Sequence, residues 1–147
     1  MIKISEHFTL EEMVFSQTAV RKGIDNTPDA VVIRNLTNLC EYILEPIRKG
    51  LARPIHISSG YRSTELNKAI KGAKTSQHIE GKAADISVKG MTTQELYDWI
   101  KYSGVVFDQL IQEFDSWVHI SYAVNARMDR LIATKKNGKT IYTRDAV

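Results

Sequence analysis

The sequence has a single cysteine and lacks several features that would assign it to a specialised class of protein. Cys40 has no second cysteine with which to pair, so an internal disulfide is excluded. No segment approaches the roughly 18 apolar residues that a membrane-spanning helix requires. No run of lysine and arginine with interleaved aromatic residues is present, so we expect no nucleic-acid partner. We therefore expect a soluble chain in which Cys40 is a small core residue.

The composition is that of an ordinary globular domain. Hydrophobic residues make up 43% of the chain and charged residues 25%, which allows a packed core and argues against disorder. The 20 lysines and arginines exceed the 17 acidic residues, and a net charge of +3 suits an anionic partner without selecting one. From the length we predict one domain over residues 1–147, acting as a monomer.

The N-terminal segment gives an expectation about location. Residues 1–10 include Glu6 and His7 and contain no long apolar stretch, so no signal peptide is predicted. We expect cytoplasmic synthesis. A substrate outside the membrane would then have to be reached with the help of another component.

Helical patterns dominate the first part of the sequence. A capping box at residues 9–12 predicts a short helix that ends before Thr18. Residues 27–28, Thr-Pro, predict the start of a longer amphipathic helix, which Pro46 should kink or end. Further helices are predicted after the caps Ser63 and Thr92.

Strand patterns dominate the second part. Strands are predicted over residues 54–58, 83–88, 105–113 and 117–122, the last two forming a hairpin, with a second hairpin turning at Asn137-Gly138. Helices first and neighbouring strands later predict an α+β fold, with helices packed on a small antiparallel sheet.

Two residues near the middle of the chain have the chemistry of metal ligands. His78 lies in a polar loop, and Asp85 lies in a strand of small and apolar residues, with Gly81 between them to allow a sharp turn. A buried aspartate is costly unless it is paired or bound to a cation. A catalytic zinc ion commonly takes three such ligands and leaves one position open.

A third candidate ligand, His119, lies in the strand 117–122. Period-two alternation places His119 on the face opposite Val118 and Ile120, which suit the core, so His119 should face a functional surface. A histidine on a strand is often only hydrogen-bonded, and Asp85 could be a structural ion-pair partner. Taken together, His78, Asp85 and His119 favour a Zn²⁺ site.

Three separated segments also carry a resemblance to a known family. They are Ser76-x-His78-x-x-Gly81-x-Ala83-x-Asp85, the preceding Ser59-Gly60-Tyr61-Arg62-Ser63, and the following Trp117-Val118-His119-Ile120-Ser121. In this order they resemble the zinc D-Ala-D-Ala carboxypeptidase family. That family includes vancomycin-resistance D,D-peptidases and phage L-alanyl-D-glutamate endolysins, and it shares its fold with the hedgehog signalling domain. The resemblance extends over most of the chain, from residues 5–9 to 117–122.

The resemblance implies a role for each matching residue. His78, Asp85 and His119 would bind zinc, Arg62 would hold a substrate carboxylate or carbonyl, and Ser76 would position the peptide. A guanidinium suits this task because it donates two parallel hydrogen bonds to a carboxylate. The alternatives are an ion pair that braces a loop for Arg62 and a turn hydrogen bond for Ser76.

The general base is where the sequence departs from much of the family. The acidic residue that often lies three positions before the last zinc histidine is replaced by Ser116. We predict that Glu113 is the catalytic base, since it resembles the glutamate of a related subgroup with a Gln-Leu-Ile-x-Glu strand. Asp115 is the competitor, and a turn aspartate more often bonds to its own backbone. Glu113 could also be a solvated carboxylate at the end of its strand.

These inferences predict a zinc metallopeptidase whose partner is a peptidoglycan stem peptide. The family resemblance allows a D,D-carboxypeptidase or an endopeptidase, and a phage or prophage endolysin suits the small size. One alternative is a zinc-containing module that binds the cell wall without hydrolysis. Another is a metal-free interaction domain in which His78 and Asp85 only pair with each other.

Overall fold

A computed structural model describes residues 1–145 of the chain. The helices are α1 (Leu10–Val14), α2 (Gln17–Lys22), α3 (Ala30–Leu39), a π-helical segment (Cys40–Leu44), α4 (Glu45–Leu51), α5 (Thr64–Ala69) and α6 (Thr93–Tyr102). The strands are β1 (His56–Ser59), β2 (Ala83–Ser87), β3 (Gln109–Glu113), β4 (Trp117–Ser121), β5 (Asp129–Lys136) and β6 (Lys139–Arg144). None of these helices is long and apolar enough to cross a membrane.

The predicted helix caps are present at Thr9, Ser63 and Thr92, and those at Thr9 and Thr92 are complete capping boxes. Helix α2 was not predicted. The predicted start of the long helix at residues 27–28 is wrong, because Asp29 is its N-cap and accepts a hydrogen bond from Val32 N at 2.9 Å. Thr27 is instead held in a turn by Asp25 Oδ1 at 2.9 Å.

Pro46 does not end the helical path, which runs on to Leu51. Proline lacks the donor for a normal helical bond, and its ring crowds the preceding turn. The π-helical segment lies directly before it, with Glu45 N bonded to Cys40 O five residues back. A wider turn at this point gives the proline ring room, so the irregularity predicted at Pro46 takes the form of a π-helical segment.

The six strands form one sheet in the order β1-β2-β4-β3-β5-β6. Every neighbouring pair is antiparallel apart from β3 and β5, which are parallel. The two predicted hairpins, β3–β4 and β5–β6, are present, and the second turns at Asn137 and Gly138, both with positive φ. The predicted α+β fold is therefore confirmed.

The helices pack on one face of the sheet. Leu36, Cys40 and Ile43 contribute to this core from the helical side, and Cys40 is fully buried as predicted. Val118 and Ile120 face the same core from β4. Because side chains alternate along a strand, His119 lies on the opposite face, where the sheet forms the floor of a cleft.

Candidate metal centre

The cleft on the open face of the sheet has a volume of about 770 Å³. Its floor is a row of register-paired residues, Asp85, His119, Ile111 and Leu131, which crosses four strands. Loop residues between α5 and β2, including Ser76 and His78, form one wall. The fold therefore gathers residues from distant parts of the chain around Asp85 and His119.

His78, Asp85 and His119 converge in this cleft. One ligand atom from each lies within 4.8 Å of the others, and all three residues are buried. Asp85 Oδ1 is 3.2 Å from His78 Nε2 and 3.3 Å from His119 Nδ1. The two imidazole rings pack edge to face with centroids 5.1 Å apart. A single small cation could be reached by all three side chains.

The orientation of His78 is fixed by a glycine carbonyl. His78 Nδ1 is 2.7 Å from Gly60 O, which can only accept, so Nδ1 carries a proton and Nε2 is the ring nitrogen that faces Asp85. Gly60 itself packs tightly: a Cβ there would lie 2.2 Å from Met13 O. Backbone packing against α1 thus determines which nitrogen of His78 faces the cleft.

This donor set fits a zinc ion. A neutral Nε2 facing a carboxylate oxygen at 3.2 Å brings two electron-rich atoms together, which requires either a second proton on His78 or a cation between them. Two imidazoles and one carboxylate are ligands that zinc prefers, and the hydrogen bond from His78 Nδ1 to Gly60 is of the kind that orients zinc histidines.

Asp85 is the negative centre of the cluster. Burial by itself would raise the pKa of its carboxyl. The positive charge that a second proton on His78 supplies, with the hydrogen bonds from His119 and His78, outweighs burial and holds that pKa well below its usual range, and a cation at the same place would act in the same direction. Asp85 is therefore ionised. The guanidinium of Arg62 lies on its other oxygen, with Nη2 at 3.4 Å from Oδ2.

Arg62 is held beside the cluster by three side chains. Its Nε donates to Ser59 Oγ at 3.1 Å, Nη1 to Asn67 Oδ1 at 3.1 Å and Nη2 to Asp85 Oδ2 at 3.4 Å. Burial lowers the pKa of Arg62, and the charges of Asp85 and Glu113 oppose that change. The guanidinium lines the cleft in one fixed orientation.

Ser76 lies on the loop that carries His78. Its hydroxyl accepts a hydrogen bond from His78 N at 3.2 Å, and the residue lines the cleft. The turn bond considered from the sequence is thus present, and the hydroxyl hydrogen is still able to donate to a bound molecule.

Glu113 and Asp115 are placed differently by the β3–β4 hairpin. Glu113 lines the cleft, and its Oε1 lies 3.9 Å from His119 Nδ1. Burial and the negative charge of Asp85 raise the pKa of Glu113, while His119 opposes the change. Asp115 is in the turn, where its carboxylate accepts from Gln112 Nε2 and its N–H donates back to Gln112 Oε1 at 3.0 Å.

Several supporting residues were not identified from the sequence. Ser59 and Asn67 hold Arg62, and Gly60 orients His78. The Ser59-Gly60 pair before Arg62 was a visible signal for two of them. The sequence around Asn67 carries no motif that would assign it a role; it lies in α5 and bonds to Arg62 and to Ala73 O. The sequence also carries no indication that the hairpin β5–β6 would reach the site, although its Tyr142 lines the cleft.

Fold and site together define a class. A histidine–aspartate–histidine cluster on the floor of an open cleft, with a glutamate and an arginine beside it, is the arrangement of a mononuclear metallohydrolase. The family model of peptidase M15 matches residues 6–121, so the chain belongs to the M15 family of zinc D-Ala-D-Ala carboxypeptidases. The predicted family is confirmed. A search of curated proteins found no match.

Proposed function

We propose that the protein is a zinc-dependent peptidase that hydrolyses an amide bond in the stem peptides of peptidoglycan, with residues 1–147 acting as one peptidase domain. The observation that carries the proposal is the convergence of His78, Asp85 and His119 within 4.8 Å in an open cleft. Membership of the M15 family supports zinc as the metal and peptidoglycan as the substrate.

His78, Asp85 and His119 would hold the zinc ion, which supplies Lewis acidity that acidifies water and polarises a scissile carbonyl. Glu113 acts as the general base. Its carboxylate lies 3.9 Å from His119 Nδ1, at the edge of the proposed metal site, where it can accept a proton from the attacking water and return it to the leaving amine. A raised pKa makes the carboxylate a better proton acceptor than an ordinary glutamate.

Arg62 orients the substrate in this proposal. Its guanidinium is held by Ser59 and Asn67, so little side-chain entropy is lost when it binds a substrate carboxylate or carbonyl. Ser76 lies on the adjoining loop and donates its hydroxyl hydrogen to the peptide. Asp115 is the poorer candidate for the base, because Gln112 holds its carboxylate in the turn.

The test uses two variants with different expected effects. Asp85→Ala removes a ligand and should abolish both bound zinc and release of muropeptides from purified peptidoglycan. Glu113→Gln should retain zinc and lose turnover, because the amide cannot accept the proton. Full activity in Glu113→Gln would assign the base elsewhere. A cell-wall-binding module without activity would co-sediment with the wall and release nothing, and a metal-free interaction domain would contain no zinc.

The cleaved bond and the biological setting belong to the same proposal. Mass spectrometry of the released products distinguishes a D,D-carboxypeptidase, which removes one terminal residue, from an endopeptidase, which cuts within the stem or cross-link.

For the biological setting, we propose that the protein is a lysis enzyme of a phage or prophage. Lysis of a bacterial culture only when the protein is co-expressed with a membrane-permeabilising partner would support that setting, and lysis by the protein alone would contradict it.

A further inference from the structure

The cleft continues beyond the residues that match the M15 family. That match ends at residue 121, whereas the hairpin β5–β6 covers residues 129–144. Four residues of this hairpin line the cleft together with the candidate metal ligands: Leu131, Lys135, Thr140 and Tyr142. One wall of the site is therefore built by a segment that lies outside the family match.

Strand register places Tyr142 in the same row as the proposed base, two strands away. Glu113 is paired with Ala133 on β5, and Ala133 is paired with Tyr142 on β6, so all three side chains point to the same face. Ala133 is small and fully buried, which leaves only a methyl group between Glu113 and Tyr142. Burial raises the pKa of Tyr142, and so do the charges of Glu113 and Asp85, so its phenol is a hydrogen-bond donor.

Lys135 is the cation of this wall. It follows Ala133 by two positions on the same face and is paired with Thr140 across the hairpin. Its Nζ lies 5.5 Å from the ring centroid of Phe114, and it forms no ion pair with any of residues 1–145. Phe114 in turn packs edge to face on Trp117. The ammonium group of Lys135 thus lies over the ring of Phe114, and no carboxylate among residues 1–145 forms an ion pair with it.

The charge of the whole chain is concentrated in this segment. Residues 122–145 contain six lysines and arginines against two aspartates, whereas residues 1–121 contain 14 basic residues against 15 acidic ones. The net positive charge of the protein thus comes from the region around the hairpin. An anionic group on the substrate would be attracted to this end of the cleft.

The length of the cleft indicates the size of its occupant. Four strand spacings separate β2 from β6, which is about 19 Å at roughly 4.8 Å per spacing. An extended peptide rises roughly 3.3 Å per residue, so about six residues would span that distance and a dipeptide would cover only a third of it. The floor therefore suits an extended peptide that continues from the metal ligands onto the hairpin.

We propose that the hairpin β5–β6 forms a subsite for a carboxylate of an extended peptide substrate, in which Lys135 pairs with the carboxylate and Thr140 and Tyr142 donate hydrogen bonds. The proposal rests on the proposed function, which places the cleaved bond beside Glu113. Tyr142 is two strand spacings from Glu113, about 10 Å, so the carboxylate lies about two to four residues from that bond.

Lysines on an edge strand have another common purpose, which is to prevent pairing with further strands. Lys139 lies on the edge strand β6 and suits that purpose, and neither Lys139 nor its partner Lys136 lines the cleft. They differ from Lys135 in position and not in charge. Lys139 is therefore a matched control for the loss of one positive charge on the same hairpin.

The experiment compares Lys135→Gln with Lys139→Gln in the zinc-loaded full chain. The substrates are synthetic five-residue stem peptides in which the acidic residue is either glutamate or its uncharged amide. We expect Lys135→Gln to raise KM for the acidic peptide about fivefold with kcat unchanged, as the loss of one solvent-accessible ion pair would. The amide peptide should not distinguish Lys135→Gln from the parent protein, and Lys139→Gln should match the parent with both peptides. Tyr142→Phe should weaken binding of the acidic peptide further when combined with Lys135→Gln.

Equal effects of Lys135→Gln and Lys139→Gln, or equal hydrolysis of both peptides by the parent protein, would overturn the subsite and leave the proposed function standing. Failure of the proposed hydrolysis can be told apart from failure of the subsite by calorimetry, which measures peptide binding to the zinc-loaded protein without turnover. If no peptide is hydrolysed but the acidic peptide binds in a manner that depends on Lys135, the proposed hydrolysis fails and the subsite is supported.

Discussion

Asp108 offers a quantitative test of how the hairpin β5–β6 is attached to the metal-binding loop. This buried carboxylate accepts hydrogen bonds from Arg127 N at 3.1 Å, Nε at 3.0 Å and Nη2 at 2.8 Å, and from Gln77 Nε2 at 2.9 Å. Arg127 belongs to the connection that leads into β5, and Gln77 is the neighbour of His78. We therefore expect Asp108→Asn to loosen both segments.

The size of the effect follows from the pKa of Asp108. Hydrogen bonds from the Arg127 side chain lower that pKa from 3.8 to about 2, against the opposing effect of burial. At about 1.36 kcal/mol for each pKa unit, the ionised carboxylate contributes about 2 kcal/mol to the free energy of unfolding. The side chain of Arg127 is 58% exposed, and solvent screening of that partner reduces the expected loss to about 1–2 kcal/mol.

The pH dependence has a defined sign. Because the pKa is lower in the folded state, the stabilisation is complete above the unfolded pKa of about 4 and is lost as the pH falls towards about 2. Urea unfolding of the parent protein and Asp108→Asn should differ by about 1–2 kcal/mol near about pH 6 and by only about one third of that near about pH 2.5. A difference of the same size at both pH values would refute the electrostatic explanation, since it would then reflect packing alone.

Three further predictions concern the metal centre. Glu113→Gln should retain zinc and lower kcat about 10²–10⁴-fold, measured by muropeptide release, and a smaller loss would contradict its assignment as the base. Gly60→Ala would place a Cβ 2.2 Å from Met13 O and displace the carbonyl that orients His78, so both the melting temperature and the zinc affinity should fall. Gly104→Ala is its control for destabilisation away from the site: a Cβ there meets nothing within 4 Å, but its φ of +86° disfavours alanine, so the melting temperature should fall while zinc affinity should not change. Removal of zinc with a chelator should lower the melting temperature, and free zinc at 100 times its dissociation constant should restore about 2.7 kcal/mol of stability; a melting temperature that ignores zinc would argue against the site.

The features that were predicted from the sequence depend on neighbouring residues. The caps at Thr9, Ser63 and Thr92 each involve a side chain and a backbone N–H three residues on, so their spacing is visible in the sequence. Alternation along β4 placed His119 opposite Val118 in the same way. Local chemistry specifies these features, so they can be predicted without knowledge of the tertiary contacts.

The features that were missed arise from a choice between two neighbouring caps and from the pairing of distant strands. Asp29, and not Thr27, caps α3, because Asp25 holds Thr27 in a turn. The parallel pairing of β3 with β5 was not predicted. The residues between β4 and β5 carry no pattern that shows whether β5 pairs with β4 or crosses over to pair with β3. That pairing brings the C-terminal hairpin to the cleft, so part of the site could not be predicted without it.

The comparison of Glu113 with Asp115 shows that strand register, and not sequence spacing, determines which carboxylate lies near His119. Asp115 is nearer to His119 along the chain, yet the turn directs its carboxylate to Gln112. Glu113 is paired with Trp117, two residues along the strands from the pair of Ile111 and His119 and on the same face of the sheet. Its Oε1 lies 3.9 Å from His119 Nδ1. The same register continues through Ala133 to Tyr142. Proximity in this site is therefore set by rows that cross the sheet, so Glu113 is better placed for the base role than Asp115 although Asp115 is nearer to His119 in sequence.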